Sequence, residues 1–182
     1  VVGKKIVEIC SIGDQLIEQQ CARVFKSKAI EKGIAFPTCV SVNECVAHYS
    51  PLPSESGELK EGDIVKIDLG AQIDGYISVV AHTLPVTAEV GAPLPTVEGR
   101  AADVMKAAIV AAEVAHKMIR PGVTNTEVTE TLNKVAKAYD VECVQGCLSH
   151  QLKRYVIDGN NVIMLRDDPE QKADEFAFGM YE

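Results

Sequence analysis

The sequence lacks several patterns that would assign it to a protein class at once. No Cys-x-x-Cys pair occurs, so a structural zinc site at the usual ligand spacing is not expected. No apolar run approaches the ~20 residues of a membrane-spanning helix, and there are no internal repeats. A positive balance is also missing: the formal net charge is −8. Binding of nucleic acid by the whole surface is therefore not expected, because phosphate contacts need clustered Lys and Arg.

The composition is that of a folded protein. Of the 182 residues, 47% are hydrophobic, which is enough for one domain with a sizeable core. We expect a single domain over 1–182. The sequence begins without methionine or signal peptide and stops in apolar sequence around Phe178, so we expect a fragment that lacks both chain ends. Cysteines scattered through apolar surroundings predict free, mostly buried thiols in a reducing compartment: Cys10, Cys21, Cys39, Cys45, Cys143 and Cys147.

Apolar residues at helical spacing predict three helices. The first covers 5–27 and the second covers 100–119. The third begins at the capping-box pattern Thr124-Asn125-Thr126-Glu127. The core-facing residues expected in the second helix are Met105, Ile109, Ala112 and Ile119.

The remaining segments have extended or loop character. Residues 34–46 favour strand and loop, broken by Pro37, and 50–62 form a polar loop. Short strands are expected within 141–165. Because helices are mixed with antiparallel hairpins, the predicted class is α+β.

A β-hairpin is the clearest local signal. Residues 63–69 alternate between apolar and polar side chains, and 76–84 form a second β-branched run. Asp74-Gly75 between them is a type I′ turn signal.

This turn sets the strand pairing. With Asp74 and Gly75 as its central residues, Gly70 pairs with Val79 and Asp68 pairs with Ala81. Asp68 and Val79 are then diagonal neighbours on one sheet face, roughly 7–8 Å apart. A carboxylate at each position could reach one shared metal pair. Valine offers no oxygen, so we expect no metal and no cofactor here.

Few other residues carry chemistry. His48 and His150 are candidate site residues, although a lone histidine is commonly structural. Asp68 is a third candidate, and its alternative role is a surface ion pair with Lys66. Two local basic groups could contact RNA, or could be solvated charges: Lys26, Lys28 and Lys32, and Lys153 with Arg154.

Taken together, these residues and segments resemble the proliferation-associated proteins, also called erbB receptor-binding protein homologues. These are non-catalytic relatives of type II methionine aminopeptidases, so the resemblance implies a pita-bread fold. The similarity covers essentially the whole chain. It is carried by residues 33–38, 41–43, 59–70, 74–77, 99–104, 149–153 and 156–160.

The resemblance also assigns positions. In the active aminopeptidases, two Asp, one His and two Glu hold two metals, and a further His lines the cleft. His48 aligns with the cleft histidine, Asp68 with the first Asp and His150 with the His ligand. Val79 aligns with the second Asp, and both Glu positions lie past Glu182. The resemblance therefore implies a pseudo-peptidase whose cleft keeps only His48, Asp68 and His150.

What the resemblance implies about function is a binding protein. Its expected partners are the large ribosomal subunit, structured RNA and regulatory proteins, with no membrane. It is expected in cytoplasm and nucleolus, with roles in ribosome biogenesis, translation and growth control. One alternative is an active dinuclear aminopeptidase that removes N-terminal methionine. Another is a cleft that binds peptides without hydrolysis.

Overall fold

The computed structural model describes residues 1–176. The chain divides into two compact units, Val1–Thr96 and Val97–Glu182, and the single domain over 1–182 stays a prediction. The chain end around Phe178, on which the fragment prediction partly rests, lies outside the described residues. Within the described residues, no helix has both the length and the apolar character needed to cross a bilayer.

The first unit is a helix on a three-stranded antiparallel sheet. Helix α1 (Ile6–Cys21) is followed by β1 (Lys32–Val42), β2 (Ile64–Ile73) and β3 (Tyr76–Pro85), and the sheet order is β1-β2-β3. Residues 50–62, predicted as a loop, contain no helix and no strand of the sheet. The core of this unit consists of Ile6, Cys10, Val40, Leu59, Val65 and Val86.

The predicted hairpin register is confirmed. Asp74 and Gly75 both have positive φ, 55° and 80°, as a type I′ turn requires. Gly70 pairs with Val79, and Asp68 pairs with Ala81.

Strand β1 is interrupted where Pro37 was expected to break it. The pairing with β2 shifts between Ile34 and Phe36, and again between Phe36 and Cys39. Pro37 has no N–H to donate, and a bulge is where a strand tolerates such a residue. The strand nevertheless continues on both sides of the bulge to Val42.

Helix α1 is shorter than the predicted 5–27. It ends at Cys21, and Phe25 has a φ of 47°, which a right-handed helix does not permit. Val24 and Phe25 are exposed rather than part of the buried stripe.

The second unit combines two helices with a two-stranded sheet. Its elements are α2 (Gly99–Met118), α3 (Asn125–Ala138), β4 (Leu148–His150) and β5 (Val162–Met164). The capping box is confirmed: Glu127 N–H donates to Thr124 Oγ1 at 3.3 Å, and Thr124 N–H donates to Glu127 Oε2 at 2.7 Å. The core of this unit consists of Val128, Leu132, Ile163 and Phe176.

The predicted core face of α2 is wrong. Ile109 is 49% exposed and Ile119 is 38% exposed; Ala112 is exposed and Met105 is only partly buried. Instead, an alanine stripe faces the core, with Ala107 buried and Ala111 and Ala115 packed against its apolar cluster. Small side chains let two helix backbones approach closely, so the bulkier residues lie to the side.

Candidate functional site

The candidate site in the first unit lies on the sheet face that carries Asp68 and Val79. The pairing of β2 with β3 makes these residues diagonal neighbours, roughly 7–8 Å apart. Asp68 is partly buried, and Val79 is 47% exposed. The face thus presents one carboxylate and, at the second position, a hydrocarbon side chain that cannot ligate a cation.

An aromatic ring and a thiol of β1 lie next to this part of β2. A side chain at Gly70 would meet the Phe36 ring, because an ideal Cβ there lies 2.5 Å from Cε1. The Phe36 ring of β1 therefore lies over Gly70, two residues along β2 from Asp68. Cys39 pairs with Asp68, and its thiol pKa is raised, chiefly by burial and then by the Asp68 charge.

The expected Asp68–Lys66 ion pair does not form. Lys66 Nζ donates instead to the backbone oxygen of Asn43, at 2.5 Å. Burial lowers the pKa of Lys66. That hydrogen bond holds the ammonium at the β1 end, where Asn43 has a φ of 49°, and away from the carboxylate.

The two histidines have different settings. His48 is exposed in the loop that follows β1, with a φ of 64°. His150 is exposed on β4 of the second unit, where it pairs with Val162. Its Nδ1 lies 3.5 Å from the Gln151 oxygen.

The donors among residues 1–176 do not by themselves fit a two-metal centre. Such a centre needs several carboxylates to offset two cations roughly 3.5–4 Å apart. In residues 1–176, no three His, Cys, Asp or Glu side chains are grouped as a metal ion would need. The Val79 side chain supplies no oxygen; that it stands in place of a ligand stays a prediction. That the protein works without metal stays a prediction.

The first basic group includes one lysine next to an aromatic ring, Phe25, which falls within the predicted helix 5–27. Lys26 and Lys28 are exposed in the loop after α1, and Lys32 opens β1. Lys28 Nζ lies 5.7 Å from the centroid of the Phe25 ring. In the sequence, the neighbouring lysines point to Phe25 as a surface residue. Its apolar helical spacing placed it in the predicted helix instead.

The second basic group also has an aromatic ring near a cation. Lys153 and Arg154 lie in a turn in which Lys153 and Val156 bond to each other in both directions, at 2.9 and 2.8 Å. The Arg154 guanidinium lies 5.3 Å from the Tyr155 ring centroid. Each basic group therefore presents an aromatic ring beside a cation, one in each unit.

Comparison with known proteins gives a consistent result. The chain matches the model of metallopeptidase family M24 over residues 4–178. It is 50% identical over 179 residues to "Proliferation-associated protein A" of Dictyostelium discoideum, covering 98% of this chain and 46% of that protein. It is 52% identical over 176 residues to "ERBB-3 binding protein 1" of Arabidopsis thaliana, covering 96% and 43%. With "Curved DNA-binding protein" of Schizosaccharomyces pombe it shares 45% over 181 residues, covering 97% and 46%.

Solved structures agree with this family. A thermophilic Arx1 has a TM-score of 0.85 at 32% identity, covering 97% of this chain and 53% of that one. A methionine aminopeptidase from Rickettsia prowazekii has a TM-score of 0.72 at 18% identity, covering 93% and 63%; this likeness shows the fold alone. The predicted α+β pita-bread fold and the resemblance to proliferation-associated proteins are confirmed. The chain spans less than half the length of the three curated relatives.

Proposed function

Because the chain belongs to metallopeptidase family M24, we propose that it is a member that binds rather than cuts. In this proposal it associates with the large ribosomal subunit and with structured RNA. It contributes to ribosome biogenesis, translation and growth control, and it also contacts regulatory proteins. Its expected location is cytoplasm, nucleus and nucleolus.

The observation that carries the proposal is Val79. It lies diagonal to Asp68 on one sheet face, where a second carboxylate could serve as a further ligand of a shared metal site. Removing an outer-shell partner of a metal ligand costs about 10–100-fold in affinity or activity, and removing a ligand itself costs more. A scaffold without this ligand lacks the paired metals that hydrolysis needs, but it keeps the surfaces through which it can bind partners.

The names of the relatives support binding as the retained role. Two of them are named for binding, one to ERBB-3 and one to curved DNA. The formal net charge of −8 means that contact with RNA uses local cations. The two groups around Phe25 and Tyr155 supply them.

The test is co-sedimentation of the purified protein with large ribosomal subunits over a salt series. We expect binding that weakens as salt rises, because phosphate contacts release counterions. Replacing Lys26 and Lys28 with Gln should weaken it further. The matched control replaces the exposed α2 lysines Lys106 and Lys117 with Gln. Absence of binding even at low salt would reject the ribosomal part.

A second candidate function is a working aminopeptidase with an altered ligand set. The observation in its favour is that His48, Asp68 and His150 are all kept. Release of methionine from a Met-tripeptide with added cobalt or manganese tests it. Activity well above a metal-only blank, and abolished by Asp68→Ala, would favour this function over the first.

A further inference from the structure

We propose that Phe25 and Tyr155 are stacking platforms for unpaired bases, so that the RNA is bound as a single strand rather than as a duplex. This rests on the RNA-binding part of the proposed function and specifies its ligand class. Both rings lie within the basic groups described above, and neither belongs to the Asp68 face.

The Phe25 side chain is only half buried. It is 50% exposed, although burying such a ring is worth about 1.5–3 kcal/mol. Its backbone is in the left-handed region, with a φ of 47°, which is uncommon for a bulky residue. An unfavourable backbone conformation therefore accompanies a partly exposed apolar ring. This combination favours a role for Phe25 in ligand binding over a role in folding.

The loop that carries Phe25 is fixed at two points. Lys32 Nζ donates to the oxygen of Val24, the residue before Phe25, at 2.5 Å. At the other end, the Asp74 N–H of the hairpin turn donates to the Glu31 oxygen at 2.6 Å. These bonds tie the loop to the sheet, so the ring is presented in a defined place.

Tyr155 has a matching arrangement. It is 56% exposed with a φ of 60°. Its turn is closed by the reciprocal hydrogen bonds of Lys153 and Val156. The Arg154 guanidinium lies over the ring, 5.3 Å from its centroid, so a cation again accompanies a partly exposed aromatic residue.

A ring beside a cation suits one kind of ligand best. A base can stack on the ring, while the phosphate attached to that nucleotide pairs with the adjacent Lys28 or Arg154. A duplex keeps its base faces covered by their neighbours, so it offers only phosphate. Single-stranded loops and ends present both groups, and stacking on aromatic rings is how they are commonly recognised.

The test measures binding of two labelled RNAs by fluorescence polarisation: a single strand of about 12 nucleotides and a blunt duplex of the same sequence. The variants are Phe25→Leu and Tyr155→Leu, which keep an apolar side chain and remove the ring. Phe25→Tyr and Tyr155→Phe keep the ring. The matched control is Leu52→Ala, since Leu52 is also exposed and lies in another loop. Thermal melts check that every variant is folded.

Each leucine variant should weaken binding of the single strand by about five- to a hundredfold, the value of one stacked base. Binding to the duplex should change by less than about twofold, and the ring-preserving variants and Leu52→Ala should behave as the parent. If the leucine variants lose affinity equally for both RNAs, or for neither, the inference is overturned although the protein still binds RNA. If the parent protein binds neither RNA, the inference falls together with the RNA-binding part of the proposed function.

Discussion

Gly13 is the position where α1 touches the sheet, and its substitution tests the packing directly. An alanine Cβ there would lie 2.5 Å from Thr38 Oγ1 and 2.7 Å from Thr38 Cγ2, well inside contact distance. In an exposed helix, Gly→Ala gains about 1 kcal/mol. Here overpacking costs about 1–3 kcal/mol. Any shift of α1 also stretches the 2.8 Å bond from Thr38 N–H to Asp14 Oδ1, which is worth about 1.5–3 kcal/mol.

We therefore expect Gly13→Ala to lower the free energy of unfolding by about 1–3 kcal/mol in urea denaturation. Thr38→Ala should be nearly neutral by itself, since Thr38 Oγ1 is buried and finds no hydrogen-bond partner among the described residues. The double variant should recover at least about 1 kcal/mol, because the clashing atoms are gone. A Gly13→Ala protein that is more stable than the parent would refute the close contact between α1 and β1.

Three further results are expected. Hydrogen bonds from Thr124 lower the pKa of Glu127 below 4.5, so the stabilisation is present above that pH and is lost as pH falls through the folded-state pKa; acid should therefore destabilise the parent more than Glu127→Gln in urea melts. Asn125→Leu should lower the free energy of unfolding by about 3 kcal/mol or more, because the buried amide bonds to the Val162 and Lys172 oxygens and to two backbone N–H groups; a loss under about 1 kcal/mol would contradict this. Burial and a raised pKa should make Cys39 react with iodoacetamide far more slowly in the folded protein than in urea, whereas equal rates would show an exposed thiol.

The hairpin and the capping box could be predicted because their signals are local. Asp74-Gly75 specifies one turn type, and the alternation in β2 then fixes which residues pair with β3. Thr124 and Glu127 form reciprocal hydrogen bonds within one helical turn. In such cases the neighbouring residues alone determine the geometry.

Other features depend on contacts between distant residues. Helix α2 is apolar on several faces, so its periodicity does not reveal that Ala107 rather than Ile109 faces the core; packing against α3 decides this. The position of the Phe36 ring over Gly70 depends on two irregularities in β1, which alternation cannot locate. Phe25 continues the apolar spacing of α1, and only the turn into β1 removes it from the helix.

The central claim is that Val79 leaves this cleft without a paired-cation site. Equilibrium dialysis of the purified protein against excess manganese or cobalt, followed by metal analysis, tests it most directly. We expect no stoichiometric retention of two ions by the parent protein, and no change on Asp68→Ala. Two tightly held ions per chain, released by Asp68→Ala, would contradict the claim.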